Sequence, residues 1–212
     1  MSAAHQLELV DAEATRAFGR ALATVLRAGD LVVLTGDLGA GKTTLTQGIG
    51  AGLGVRGHVA SPTFVIAREH PPLPRPDGTR GPGLVHVDAY RIGSLDEVEA
   101  LDLDASLDEC VTVVEWGAGW VEGIAADRLE VTLARERGRA SDERASGGSA
   151  GHGSDEGEPD DDGGAGVRTV TLRGVGERWA GADLAALAAA STAAASTAAA
   201  STTTASTADV AG

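Results

Sequence analysis

A single cysteine, Cys110, stands among 212 residues, which excludes an internal disulfide framework and a cysteine-rich zinc site. Aromatic residues make up 3% of the chain, and no apolar run approaches the roughly 18 residues of a membrane span. The opening segment, MSAAHQLELVDAEATR, lacks the basic stretch and apolar core of a secretory leader. A cytoplasmic protein without membrane association is therefore expected. Basic charge is also scarce: 17 Lys and Arg against 31 Asp and Glu give a net charge of −14, so attraction to a nucleic-acid backbone is weak or repulsive. DNA is not an expected partner, and any RNA would be held by a partner protein. Lysine is scarcest of all, since sixteen of the basic residues are Arg and only Lys42 is lysine. One compact, mobile ammonium kept in an arginine-rich chain marks a place that needs a point charge.

The chain length suits one domain with appendages, and the composition divides it. Residues 1–134 carry the folding pattern. HQLELV (5–10) alternates as a strand does, and residues 11–27 place Ala14, Phe18, Ala21, Leu22 and Val25 on one helical face behind Asp11 as N-cap. LVVLT (31–35) reads as a strand buried on both faces, and the segment from Thr43 reads as a helix ending near Gly52 or Gly54. Residues 61–70 and 83–90 are β-rich and flank a Pro- and Gly-rich loop, which predicts an antiparallel pair. Ser94 and Glu97 stand at capping-box spacing ahead of a short helix. CVTVVEW (110–116) and RLEVTL (128–133) supply two further strands.

Residues 135–166 are rich in Gly, Ser and acid without apolar periodicity, the composition of a disordered insertion. Residues 167–183 offer an edge strand and a helix that would complete the domain, and 184–212, where ASTAA recurs, reads as a low-complexity tail without a core pattern. Removing that tail is expected to leave nucleotide binding unchanged.

The chemistry concentrates in Gly36-Asp37-Leu38-Gly39-Ala40-Gly41-Lys42-Thr43, which satisfies G-x-x-x-x-G-K-[ST] between a strand and a helix. Its glycines let successive backbone N–H groups face phosphate oxygens, with the positive end of the following helix behind them. Lys42 would bridge the β- and γ-phosphates, and the Thr43 hydroxyl would ligate Mg²⁺. LVHVD ends in Asp88, where a strand-end carboxylate would hold a magnesium-bound water. His86 reads as a packed core histidine rather than a base. Glu115-Trp116 closes another buried strand, and its carboxylate either completes the metal site, orients water or caps the strand end. Thr63 in Ser61-Pro62-Thr63 occupies a loop from which NTPases sense the γ-phosphate.

The succession GDLGAGKTTLTQGIG, SPTF, HVDAYR and VVEW resembles the bacterial TsaE (YjeE) ATPases of tRNA threonylcarbamoyladenosine synthesis over residues 5–133. The resemblance implies an α/β, P-loop NTPase-like three-layer sandwich with a mostly parallel central sheet plus antiparallel strands. It implies slow hydrolysis of ATP with Mg²⁺, and action with TsaB and TsaD, which threonylcarbamoylate the adenosine at position 37 of tRNAs reading ANN codons. The ATPase cycle would reset that complex between turnovers, with tRNA met only through the complex.

Carried onto this chain, the resemblance puts phosphate contacts on Gly36 to Thr44. It puts metal ligation on Thr43, Glu115 and Asp88, catalysis on Lys42, Asp88, Glu115 and Thr63, and adenine against Thr15 and Leu133. Tyr90 and Arg91 belong to a motif that faces either partner or active site. Gly117-Ala118 departs from the family pattern, which carries a second Glu after E-W. Two other classes share these parts: a small-molecule kinase with Arg135, Arg137 and Arg139 as its lid, and a nucleotide-dependent protein-binding switch.

Overall fold

A computed structural model describes residues 3–62, 67–90, 108–119, 121, 123–135 and 166–191. One seven-stranded sheet organises them. In chain order its strands are β1 (Ala4–Leu9), β2 (Leu31–Thr35), β3 (Ala67–His70), β4 (Gly83–Asp88), β5 (Cys110–Glu115), β6 (Arg128–Arg135) and β7 (Arg168–Val175). In space they run β1-β7-β6-β2-β5-β4-β3. The four central strands, β6, β2, β5 and β4, are mutually parallel, whereas β1, β7 and β3 join antiparallel. The expected mostly parallel centre with antiparallel flanks is therefore present. Strands β2, β4 and β5 are nearly continuous apolar runs because both of their faces are covered, whereas β6 alternates, with Arg128, Glu130 and Thr132 on its less covered face.

Helix α1 (Ala12–Ala23) begins where Asp11 accepts the Ala14 N–H at 2.7 Å, as the sequence indicates. It ends sooner than the apolar spacing suggests. The Thr24 hydroxyl donates to the Ala21 carbonyl, and the Asp30 carboxylate takes the Arg27 N–H, turning the chain toward β2. Val25 consequently lies beyond the helix and is 38% exposed. Helix α2 (Lys42–Leu53) ends at Gly54 in the left-handed conformation. The two helices cross closely: a Cβ on Gly19 would come within 2.8 Å of the Gly48 Cα. Both lie on one sheet face, where Phe18, Leu22, Leu45 and Ile49 pack on Val32, Leu34, Val113 and Val131. The opposite face gathers Leu31, Val33, Val85, Val87 and Val114 beneath Val121.

Three expectations change or fall away. Strand β7 is not an edge strand, for it lies between β1 and β6 and pairs with both. Residues 61 and 62 stand outside β3. The chain also stays ordered past 183: after α3 (Glu177–Ala180), residues 184–191 are helical, and Leu184 and Ala188 are 3% and 6% exposed against Trp179 in the main core. Arg178 ties this region down, donating to Asp30 from two nitrogens at 2.8 and 2.9 Å. The helix expected after Arg91 and most of the acidic insertion lie outside the described residues.

Candidate functional site

Parallel strands of an open α/β sheet place their ligands beyond their carboxyl ends. Strands β2, β4 and β5 end there in the glycine-rich loop, Asp88 and Glu115 respectively. The loop from Gly36 to Gly41 relies on positive φ at Gly36 (153°), Gly39 (75°) and Gly41 (101°). A side chain at Gly36 would run into the Leu133 carbonyl oxygen. Ala40 is buried, and Leu38 is 80% exposed at the loop tip. Asp37 is exposed and its carbonyl accepts the Ala40 N–H, closing the turn.

Lys42 opens α2 and folds back over the loop, where its Nζ donates to the carbonyls of Gly36 and Asp37 at 3.0 Å each. Its ammonium also sits 3.9 Å from the centre of the Trp116 ring. Burial lowers the Lys42 pKa, opposed by the charges of Glu115, Asp88 and Asp37. Trp116 reaches the lysine from a left-handed backbone position, φ 61°, with its N–H donating to the Leu34 carbonyl. The exposed Tyr90 ring lies outside it, centroids 5.4 Å apart and planes tilted by 58°.

Thr43 lies beside Glu115 although 72 residues separate them, its hydroxyl 3.0 Å from Oε1 and 3.2 Å from Oε2. The Glu115 carboxylate is 3% exposed, and His86 Nε2 approaches Oε1 at 2.8 Å. Asp88 stands directly across from Glu115 in the β4–β5 register. It accepts from the Ser61 hydroxyl at 3.3 Å and the Tyr90 N–H at 3.0 Å. One hydroxyl and two carboxylates are hard oxygen donors, and Mg²⁺ characteristically takes one or two carboxylates together with phosphate oxygens. Among the described residues no cluster of three or more His, Cys, Asp or Glu could hold a metal alone. The donor set therefore fits a cation that arrives with phosphate.

Lys42, Thr43, Asp88 and Glu115 thus meet at the mouth of one loop, as do the backbone groups of residues 36–41. Thr44 is buried within α2. Thr63, Arg91, Arg137 and Arg139 lie outside the described residues. Of the two adenine candidates, Thr15 is fully buried with its hydroxyl donating to the Asp11 carbonyl, and its Cγ2 lies 3.8 Å from where a Gly41 Cβ would stand. Leu133 is 1% exposed, and its carbonyl oxygen lies against Gly36 at the start of the loop. Two features were not apparent from sequence: the indole over Lys42, and Arg168, which is 1% exposed with its Nε 3.0 Å from where a Gly41 Cβ would stand. Arg168 carries no local signal, since it follows a low-complexity stretch. Among the described residues no helix is long and apolar enough to cross a membrane.

Residues 9–144 match the family model described as threonylcarbamoyl adenosine biosynthesis protein TsaE. The tRNA threonylcarbamoyladenosine biosynthesis protein TsaE of Streptomyces coelicolor is 54% identical over 173 residues, covering 81% of this chain and 98% of that protein. The protein of the same name from Mycobacterium leprae is 50% identical over 138 residues, covering 62% of this chain and 82% of its own. The crystal structure of Bacillus subtilis YdiB superimposes with a TM-score of 0.54 at 29% identity, covering 84% of this chain and 90% of that one.

Proposed function

The chain belongs to the TsaE family, and from that premise we propose that it is a Mg²⁺-dependent ATPase serving tRNA threonylcarbamoyladenosine biosynthesis with TsaB and TsaD. The observation that carries the ATPase reading is the convergence of Lys42, Thr43, Asp88 and Glu115 on one glycine-rich loop.

In this reading the triphosphate lies along the loop, its oxygens taken by backbone N–H groups and the α2 N-terminus. Lys42 exchanges the Gly36 and Asp37 carbonyls for phosphate oxygens, a short movement for an ammonium already at the loop. Thr43, Glu115 and Asp88 would hold Mg²⁺, which when bound neutralises charge on the β- and γ-phosphates. Asp88 and Glu115 also orient the attacking water at the strand ends. Trp116 shields the ammonium from bulk solvent, which strengthens its attraction for phosphate.

The nucleotide cycle resets the TsaB–TsaD assembly between turnovers, and the tRNA is met only within that assembly. The net charge of −14 suits a protein partner better than direct contact with a tRNA backbone. Of the arginines that would form a kinase lid, Arg135 instead closes β6 opposite Arg168 in the sheet register. Calorimetric titration with Mg·ATP tests the site. Wild type is expected to bind and Lys42→Ala to lose binding, whereas full affinity in Lys42→Ala would refute the assignment. Glu115→Gln separates an ATPase from a pure switch, since hydrolysis should stop while partner docking persists.

A further inference from the structure

His86 takes no part in the chemistry above, yet its environment is not that of a packing residue. The ring is fully buried within β4. Its strand neighbours Val85 and Val87 are aliphatic, as is Val113, its partner on β5, while its partner on β3 is the exposed Arg68. An aliphatic side chain would fill such a position without the cost of burying an imidazole. The ring makes one polar contact among the described residues, Nε2 to Glu115 Oε1 at 2.8 Å, and Nδ1 meets no hydrogen-bond partner there. An ionised carboxylate only accepts, so toward Glu115 in that form the ring donates from Nε2.

The same carboxylate lies within reach of the Thr43 hydroxyl, 3.0 Å from Oε1 and 3.2 Å from Oε2. One hydroxyl proton cannot fix two oxygens. With Oε1 held by His86, the carboxylate has a single orientation, and Oε2 remains for a cation or its water. At 0% exposure the ring cannot itself touch substrate, which excludes it as a base.

We propose that His86 is a positioning residue that locks the Glu115 carboxylate in the orientation the divalent cation requires. This rests on the Mg·ATP reading of the site. Mutating groups that hydrogen-bond metal-binding side chains in this way typically costs about 10–100-fold in metal affinity.

The test is Mn²⁺ binding to the ADP complex of the full chain, followed by the electron paramagnetic resonance of free Mn²⁺, alongside metal-free ADP affinity. His86→Gln keeps a donor near the Nε2 position, His86→Asn moves it back toward Nδ1, and His86→Leu removes it. Asn and Leu should weaken Mn²⁺ binding about 10–100-fold while Gln stays close to wild type, the range typical of lost carboxylate support. Metal-free ADP affinity should be unchanged in all three, and in a Glu115→Gln background His86→Asn should cost nothing further.

If the Leu variant does not fold, the Asn and Gln pair decides. Wild-type Mn²⁺ affinity in His86→Asn would overturn the proposal, as would a parallel loss of metal-free ADP binding. Glu115→Gln alone keeps the two levels apart. If it weakens Mn²⁺ binding while His86→Asn does not, only the positioning role fails, whereas if it leaves Mn²⁺ binding intact, the metal reading fails beneath it.

Discussion

Ending the chain after Asp183 removes Leu184 and Ala188, which are 3% and 6% exposed in the main core. Full burial of a leucine is worth about 1.5–3 kcal/mol and a methyl group about 0.8 kcal/mol. The loss also uncovers Trp179, itself 1% exposed and packed with the same cluster. The truncation should therefore cost about 3 kcal/mol, and for chains of this size each kcal/mol lowers the melting temperature by about 2–4 °C. Thermal unfolding monitored by circular dichroism should show a fall of about 6–12 °C for the chain ending at 183. A chain ending at 191 keeps both residues and should melt with wild type, because residues 192–212 are mostly Ala, Ser and Thr without a core pattern. Equal melting temperatures for all three chains would refute the packing argument.

Gly36→Ala should lose at least tenfold in ATP affinity by calorimetry while remaining folded, because its φ of 153° and the Leu133 carbonyl leave no room for a Cβ. The pH dependence of kcat/KM should show an alkaline limb below the ordinary lysine value of 10.5, since burial lowers the pKa of Lys42. The sign comes from the charge: the ammonium must be present to hold phosphate, so activity falls as pH rises through the lowered value, and a profile flat to pH 10.5 would contradict this. Arg178→Ala leaves the Asp30 carboxylate, 3% exposed, with the Arg27 N–H still donating to it but without its guanidinium partner. With Arg178 itself only part-buried, the lost partner should cost about 1–3 kcal/mol, which urea denaturation should register as a lower midpoint with little change in slope.

The glycine-rich loop, β2 and α2 were legible in sequence because each is specified by contiguous residues: an apolar run, glycines at fixed spacing and Gly54 past the last turn. Asp88 and Glu115 could be named singly for the same reason, as acids at the ends of apolar strands. Their convergence with Thr43 could not be read locally, because it depends on the β4–β5 register and on β5 lying beside β2. The role of His86 was hidden likewise, since its acceptor is 29 residues away. Strand β7 alternates in the same way whether it has one neighbour or two, so period alone could not distinguish edge from interior. Val25 continued a helical spacing that a hydroxyl and a carboxylate cut short. Leu184 reads in sequence as the start of a tail because the surface it covers is built by β7 and Trp179, far from any motif.

Whether this chain couples ATP hydrolysis to tRNA modification is decided by reconstitution. Purified chain, TsaB, TsaD, tRNA and threonylcarbamoyl-adenylate are combined with ATP or a non-hydrolysable analogue, and phosphate and modified tRNA are both measured. Modified tRNA is expected to accumulate through repeated turnovers only when this chain and hydrolysable ATP are both present. Phosphate release with no effect on modification would contradict it.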